Sequence, residues 1–283
     1  MSGGGERQYR QEASSEESCF LSIITPVYNG ADYIEFCIRN VIGQNCPGIE
    51  HIIIDGGSTD STAEIISKYA AVNPHIRWVS EKDEGQSHAM NKAIAMARGS
   101  IVGFLNADDY YEPDILCRIV EIFQGLPAPS LLVGNCNVWD NEGRLWFVSR
   151  PAQIGLKNLL LGRFLEAFPM NPSAYFYHKS LHQRIGMYDT GEHFGMDLQF
   201  IFQAVQKAKV TYLDETWGNY RYLEGTKTYE DDKSGGNGTR VKQMTLRYRQ
   251  QQPLYYRVYL LAIEAWIRAV RLIRRPFAAE DKL

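Results

Sequence analysis

Two adjacent carboxylates, Asp108 and Asp109, follow an apolar run in the stretch GFLNADDYYEP at residues 103–113. Carboxylate oxygens suit Mg²⁺ or Mn²⁺, which keep some water and take further ligands from the phosphates of a bound substrate. A metal at this place would neutralise a leaving diphosphate. The competing interpretation is a helix cap, because Asp and Asn are favoured at helix starts and Pro113 follows closely.

Three further polar clusters follow apolar runs, namely TPVYN at 25–29, DGGSTD at 55–60 and SEKDEG at 80–85. An aromatic ring such as Tyr28 could stack on a nucleobase, although a lone tyrosine is more often a packing residue. Asp55 could accept a hydrogen bond from a base or ribose, and the two glycines after it would let the backbone approach a ligand. Asp83 could face the same nucleotide. DGGSTD is no P-loop, because no Gly-Lys-Ser/Thr follows.

Strands that alternate with helices position these clusters. The apolar runs at 21–25, 49–54, 76–80 and 100–105 predict strands, with Pro26 ending the first. Segments with helical spacing follow each of them. This alternation predicts a parallel sheet, and ligands bind beyond the carboxyl ends of such strands. We therefore expect all four clusters to converge at one edge of the sheet.

The composition places limits on the class of protein. The 283 residues carry a formal net charge of −3, which gives no indication of a nucleic-acid partner. Five scattered cysteines without a C-x-x-C pair argue against a zinc site or a secreted disulfide framework, so we expect a reducing, cytoplasmic setting. No apolar run reaches the roughly 18 residues that predict a membrane span.

The four clusters in this order resemble the family 2 inverting glycosyltransferases, over about residues 20–225. The resemblance implies an α/β fold of the GT-A type: a single domain with a mostly parallel central sheet flanked by helices, and here a C-terminal helical extension. It also implies a nucleotide-diphosphate-sugar donor and a divalent cation, Mn²⁺ or Mg²⁺, held by Asp108 and Asp109. The implied donor-binding residues are Pro26, Tyr28, Asp55, Asp83, Asn91 and Asp108.

The chain departs from the family pattern at two places. The D-x-D element of the family often begins with Asp, whereas this chain has Asn106, whose amide oxygen can coordinate a metal with less charge. Many members have a second acid after the second strand, where this chain has Gly56. The first departure predicts weaker metal binding, and the second puts a preference for uracil in doubt.

An inverting transfer needs a base that takes the proton of the acceptor hydroxyl. Asp197, in the segment GEHFGMDLQF, matches the base position of the family. The alternative is an aspartate that only complements the dipole of the following helix. Glu192 and His193 are neighbouring rivals.

Two other segments carry expectations about substrates. The segment 170–173, Met-Asn-Pro-Ser, is expected to line an acceptor cleft that holds a glycan or a lipid-linked saccharide. One of Tyr220, Arg221 and Lys227 could close over the diphosphate. The alternatives to a glycosyltransferase are a nucleotidyltransferase, which normally has a basic Gly-rich loop after its first strand, and a non-catalytic nucleotide-sugar-binding protein.

The sequence divides into four parts. Residues 1–18 are polar and predict a disordered tail, 19–230 form the catalytic domain, 231–252 read as a mobile loop, and 253–283 predict an amphipathic helix. Tyr256, Leu260, Ile263, Ile267 and Val270 share one face of that helix, and arginines follow another. This helix could dock on the catalytic domain, contact a partner in a homodimer, or lie on the inner face of a membrane.

Overall fold

The first four strands of the chain form a parallel half-sheet, as the alternating pattern predicts. The structure, a computed structural model, describes residues 19–274, without the side chains of residues 164, 165, 268 and 271–274. The first four strands lie in the order β3-β2-β1-β4, and all their pairings are parallel. Their bounds are β1 Leu21–Val27, β2 Ile49–Asp55, β3 Ile76–Ser80 and β4 Ile101–Phe104.

Amphipathic helices connect these strands and bury their apolar stripes against the sheet. In α1 the apolar residues at i, i+3, i+4 and i+7 are all buried: Ile34, Cys37, Ile38 and Val41. The helices of this half are α1 Ala31–Gly43, α2 Thr62–Ala70, α3 Gln86–Met96 and α4 Ile115–Gln124.

The second half of the sheet is mixed, so the sheet as a whole is less parallel than the sequence predicts. Beyond β4 the order continues β8-β6-β9-β5, with β7 paired to β6. Only the β6–β9 pairing is parallel here. The strands are β5 Tyr110–Tyr111, β6 Ser130–Trp139, β7 Leu145–Ser149, β8 Tyr175–His178 and β9 Lys209–Arg221. The pairing of β7 with β6 is antiparallel.

Helices of the second half cover one face of this extension and continue to the C-terminal end of the described chain. The long helix α8 buries six of its twelve residues and carries the predicted base, Asp197, in its first turn. These helices are α5 Leu156–Leu160, α6 Phe164–Ala167, α7 His182–Ile185, α8 Met196–Lys207, α9 Lys227–Lys233, α10 Gly236–Gln250 and α11 Leu254–Arg274.

The first strand runs past Pro26 instead of ending there. Pro26 lies opposite Ile54 of β2, but on the other side β4 stops pairing with β1 at Ile24. Proline lacks an N–H donor, which matters little where a neighbouring strand is absent. The strand therefore reaches Val27 and carries Pro26 to the edge where the polar clusters meet.

The segment 231–252 is helical, which corrects the expectation of a mobile loop. Helix α9, Lys227–Lys233, extends into the beginning of this segment. The chain then turns at Gly235, which has a φ of 75°, and α10 begins at Gly236. Val241, Met244 and Tyr248 share one face of α10, and the Tyr248 ring stacks on Phe202 with 4.5 Å between ring centroids. Burial of this face stabilises the helix, although the glycines of the segment favour a loop in the sequence.

Two of the cysteines form a disulfide, contrary to the expectation of unpaired thiols. Cys46 follows α1 and Cys117 lies in α4, and the fold brings their Cα atoms to 5.2 Å although 71 residues separate them in sequence. Both helices contribute to one apolar cluster, which explains the approach. The cysteine content therefore no longer supports a reducing setting.

The C-terminal helix docks on the domain through the apolar face that the sequence predicted. Leu260 is fully buried and Tyr256 packs beside it against the core that contains Met244 and Tyr248. Arg249 of α10 forms an ion pair with Glu264 of α11. Within residues 19–274 no helix combines the length and apolar character that crossing a bilayer requires. The predicted tail at 1–18 and residues 275–283 lie outside the described residues.

Gly103 in β4 permits a close approach inside the sheet core. A Cβ added there would lie 2.5 Å from Cε1 of Phe176, a fully buried ring of β8. We expect Gly103→Ala to destabilise the protein by about 1–3 kcal/mol through overpacking, seen as a lower Tm by calorimetry. Gly43→Ala is the matched control, because nothing lies within 4 Å of a Cβ there. Equal Tm values for the two variants would contradict this packing.

Candidate functional site

All four polar clusters line one cleft at the carboxyl edge of the parallel strands, which confirms the predicted convergence. The cleft has a volume of about 1190 Å³, ample for a ligand larger than a typical drug. Each cluster contributes to its wall, and the contributed residues include Pro26, Tyr28, Gly56, Gly57, Lys82, Asp83, Asn106 and Asp108.

A flat aromatic ring and two tight turns form one end of the cleft. The Tyr28 side chain is 63% exposed, which leaves a ring face free for stacking. Asn29 has a φ of 48°, and its Oδ1 accepts a hydrogen bond from the Thr59 amide at 2.9 Å. A Cβ on Gly57, whose φ is 79°, would lie 3.1 Å from the Lys82 amide nitrogen. The first three clusters are thus held in direct contact.

Two predicted ligand contacts, Asp55 and Asn91, lie beneath the cleft wall instead of on it. Asp55 is fully buried, and its carboxylate accepts hydrogen bonds from the Ser58 hydroxyl and, at 2.6 Å, from the Ser80 hydroxyl. Asn91 Nδ2 donates to the Tyr188 carbonyl at 2.8 Å, and its Oδ1 accepts from the Tyr188 amide. Both side chains therefore position the wall, because their polar atoms are engaged within the protein.

The two carboxylates of the opening motif point in different directions. Asp108 is half-buried on the cleft wall, and within residues 19–274 no other residue donates a hydrogen bond to its carboxylate. Asp109 is fully buried and accepts from Asn106 Nδ2 at 2.9 Å, Asn171 Nδ2 at 2.7 Å and the Arg221 amide at 3.1 Å. Asp108 is available to a ligand, whereas Asp109 holds the surrounding loops.

Burial and the charge of the neighbouring Asp108 raise the pKa of Asp109 to about 8. The three hydrogen bonds that Asp109 accepts lower its pKa and so oppose this rise. Burial also raises the pKa of Asp108, and the nearby Arg221 opposes that rise. A cation at Asp108 would relieve the repulsion between the two groups. Both pKa values are raised because burial away from water disfavours the charged form of a carboxyl group.

Helix capping does not explain these aspartates. The short strand β5 intervenes between them and α4, whose first residue is Ile115. The residue before α4 is Asp114, which makes no side-chain capping bond. The alternative that the sequence left open is therefore wrong for Asp108 and Asp109.

Arg221 supports the aspartate loop and does not lie over the cleft. Its Nε donates to the Asp108 carbonyl, and its guanidinium lies 5.4 Å from the ring centroids of both Tyr33 and Phe36. These contacts fix the cation behind Asp108. Of the three residues expected to close over a diphosphate, Tyr220 and Lys227 line the cleft.

The predicted base, Asp197, lies in the first turn of α8 and lines the same cleft as Asp108. The Tyr175 hydroxyl of β8 donates a hydrogen bond to its Oδ1 at 3.2 Å. Burial raises the pKa of Asp197 to about 6, although the bond from Tyr175 and the charge of Lys227 lower it. A carboxylate tuned this way is ionised at neutral pH and still accepts a proton readily.

The neighbouring candidates differ from Asp197. Glu192 accepts hydrogen bonds from the amides of Phe194 and Gly195, at 3.1 and 2.8 Å, so it shapes the loop. His193 lines the cleft, and its carbonyl accepts a hydrogen bond from Lys227 Nζ. Lys227 also lies 4.6 Å from the Phe194 ring centroid, which holds the ammonium group near Asp197.

Sequence reasoning missed an aromatic rim of the cleft. Trp146 of β7 is 62% exposed and lines the cleft together with Phe147. Its ring lies 5.9 Å from that of Tyr222, centroid to centroid. The sequence of β7 gives no sign of this position, because local sequence does not tell which face of a hairpin borders a cleft. Of the segment 170–173, Met170, Asn171 and Pro172 line the cleft, whereas Ser173 is fully buried.

A parallel half-sheet with a cleft at its strand ends, extended by antiparallel strands, defines the GT-A class of fold. The structure resembles Staphylococcus aureus TarS 1–349, solved in complex with UDP-GlcNAc, with a TM-score of 0.66 and 19% identity over 87% of this chain and 71% of that one. It also resembles the mannosyltransferase PcManGT from Pyrobaculum calidifontis, solved with GDP-Man and Mn²⁺, with a TM-score of 0.62 and 19% identity over 86% and 68% of the two chains. These likenesses establish the fold.

The chain belongs to glycosyl transferase family 2, whose family model matches residues 22–185. It is 34% identical over 136 residues to the chondroitin synthase of Escherichia coli, which is 48% of this chain and 20% of that protein. It is 40% identical over 148 residues to the putative teichuronic acid biosynthesis glycosyltransferase TuaG of Bacillus subtilis, which is 50% and 59% of the two chains. The chain thus spans only part of the length of these relatives, and its membership of this family argues against the nucleotidyltransferase alternative.

Proposed function

We propose that the protein transfers a sugar, with inversion at the anomeric carbon, from a nucleotide-diphosphate-sugar donor to a hydroxyl of a glycan or lipid-linked saccharide. The observation that carries this proposal is one cleft lined by both Asp108 and Asp197. An open carboxylate and a carboxylate with a raised pKa serve different tasks in one reaction. The names of the chondroitin synthase and of TuaG agree with an acceptor of the cell-surface polysaccharide type.

The donor nucleotide is proposed to occupy the end of the cleft built by the first three clusters. Tyr28 offers an exposed ring to the base, and Pro26 and Asp83 line the same end. The Gly85 amide donates a hydrogen bond to Asp83 Oδ1 at 3.0 Å, which orients the Asp83 side chain. Asp55 and Asn91 act from beneath, by fixing the turns that carry these residues. The identity of the base is left to measurement, since no second acid follows Asp55.

The residues at the aspartate loop fit a divalent cation. Asp108 supplies a carboxylate and Asn106 an amide oxygen on the same wall, both oxygen donors that Mg²⁺ and Mn²⁺ prefer. Among residues 19–274 no three His, Cys, Asp or Glu side chains form a metal site alone, so the diphosphate would complete the ligand set. A bound cation would supply charge neutralisation for the leaving diphosphate. Asp109 is proposed to hold Asn106 and is no longer assigned as a ligand.

Asp197 is proposed as the general base. Its carboxylate removes the proton of the acceptor hydroxyl as that oxygen bonds to the anomeric carbon, and the bond to the diphosphate oxygen breaks with its electron pair on the leaving group. The Tyr175 hydroxyl orients the carboxylate through Oδ1. The acceptor would enter over Met170 and Asn171, and the exposed Trp146 ring of the same cleft offers a stacking surface for a pyranose. Lys227 is proposed to contact the diphosphate.

Replacing the base tests the reaction directly. We expect Asp197→Asn to lower kcat by about 10²–10⁴ while binding of nucleoside diphosphate with Mn²⁺ is unchanged, because only proton removal is lost. Transfer assays and calorimetric titrations measure the two. Asp189→Asn is the control, since that exposed aspartate lies outside the cleft. Normal turnover of the Asp197 variant would refute the assignment.

The pH dependence of kcat/KM gives a second test. Protonated Asp197 cannot accept a proton, so activity should fall tenfold per pH unit below the pKa of about 6. Tyr175→Phe removes a bond that lowers this pKa and should move the acidic limb to higher pH. Tyr177→Phe should leave it in place, because the Tyr177 hydroxyl bonds His182 instead. An unmoved limb in the Tyr175 variant would show that another group titrates.

The metal assignment is tested by thermal shift. Nucleoside diphosphate at about 100 times its Kd should stabilise the protein by about 2.7 kcal/mol, and Mn²⁺ should strengthen this effect over EDTA. Asp108→Asn should abolish the difference between Mn²⁺ and EDTA, because it removes the open carboxylate. Asp114→Asn, an exposed aspartate outside the cleft, should keep that difference. An undiminished effect of Mn²⁺ in the Asp108 variant would place the cation elsewhere.

A further inference from the structure

The outer face of α11 is apolar and uncovered. Its exposed positions follow helical spacing, and the large side chains among them are 48–77% exposed. Arg257 is the one exposed charged side chain among those that the structure describes in this helix. The exposed apolar residues are Leu254, Tyr255, Val258, Tyr259, Leu261, Ala262, Ala265, Trp266 and Ala269.

The apolar outer face is not needed for docking on the domain. The opposite face already does this through Leu260 and Tyr256, and Glu264 is engaged by Arg249. A helix that is apolar on both sides is normally buried on both sides. Six large apolar side chains in water form a patch of the kind that marks an interaction site.

The charge and residue types of the helix favour a lipid surface. The segment 254–275 contains five arginines and a single glutamate, the paired Glu264. Arginine binds phosphate groups well, and anionic lipids attract basic segments. Tyr255, Tyr259 and Trp266 are of the types enriched at the boundary between water and lipid. Since no described helix is suited to cross a bilayer, the helix would lie in the plane of the surface.

A second copy of this chain fits the same face less well. Pairing two such helices would join two segments of the same positive net charge, and the only acid of the segment, Glu264, is already paired with Arg249. Like charges without compensating acids oppose such a pairing. The observations therefore favour an anionic surface over a symmetric partner.

We propose that the outer face of α11 binds anionic phospholipid membranes, with Leu254, Tyr255, Val258, Leu261 and Trp266 entering the interface. This goes beyond the proposed transfer reaction and does not depend on it, since the helix is separate from the cleft residues. It would place the enzyme where lipid-linked saccharides are found.

The test is flotation of the full chain with vesicles of phosphatidylcholine alone or with added phosphatidylglycerol. We expect binding only to the anionic vesicles, weakened by high salt. The double variant Val258→Asp and Leu261→Asp should lose binding by at least about tenfold, because it introduces charge into the apolar face. Val72→Asp, at a 76% exposed valine outside α11, is the matched control and should bind normally.

Three results would overturn the proposal. They are no binding of the unaltered chain to anionic vesicles, equal binding to both vesicle types, or unchanged binding of the double variant. Circular dichroism and Tm show whether that variant is folded, and Leu254→Asp alone, at the helix start, is a milder change if it is not. Light scattering that shows a dimer dissociated by the double variant would assign this face to a second copy instead.

Discussion

The fully buried carboxylate of Asp109 is the constraint on which the rest of the structure depends. Its three hydrogen-bond donors come from the aspartate loop, from the turn before β8 and from the end of β9. These parts belong to the parallel half and to the mixed half of the sheet. A buried carboxyl group without hydrogen-bond partners is costly, and in this fold three donors reach it. Satisfying this one group joins the two halves.

The cleft follows from that junction. Because Asp109 turns inward, its neighbour Asp108 is directed to the cleft wall, and Arg221 is fixed behind it by the Asp108 carbonyl. The same junction places β8 beside the parallel strands, and Tyr175 of β8 reaches Asp197. The two acidic groups that the proposed reaction needs are therefore positioned by a single set of contacts. Their environments differ, in keeping with the different tasks proposed for the two groups.

The periphery of the domain is governed by burial of apolar faces rather than by hydrogen bonds. Helix α10 exists because Met244 and Tyr248 cover the core, although its glycines suggest a loop. Helix α11 continues this cover through Leu260 and presents a second apolar face outward. Local propensity is too weak to decide such cases, since tertiary packing supplies most of the stability of a helix.

The sequence alone determined the order of strands and helices in the first half, the convergence of four polar clusters, and the choice of Asp108 and Asp197 as candidate residues, both of which line the cleft. These follow from short-range periodicity and from the rule that parallel strand ends share one edge. Only the tertiary structure decided that β8 runs antiparallel beside β4, that Asp55, Asn91 and Asp109 turn inward, and that Cys46 meets Cys117. The direction of a polar side chain at a strand end depends on which distant donors reach it, and residue spacing carries no record of those partners.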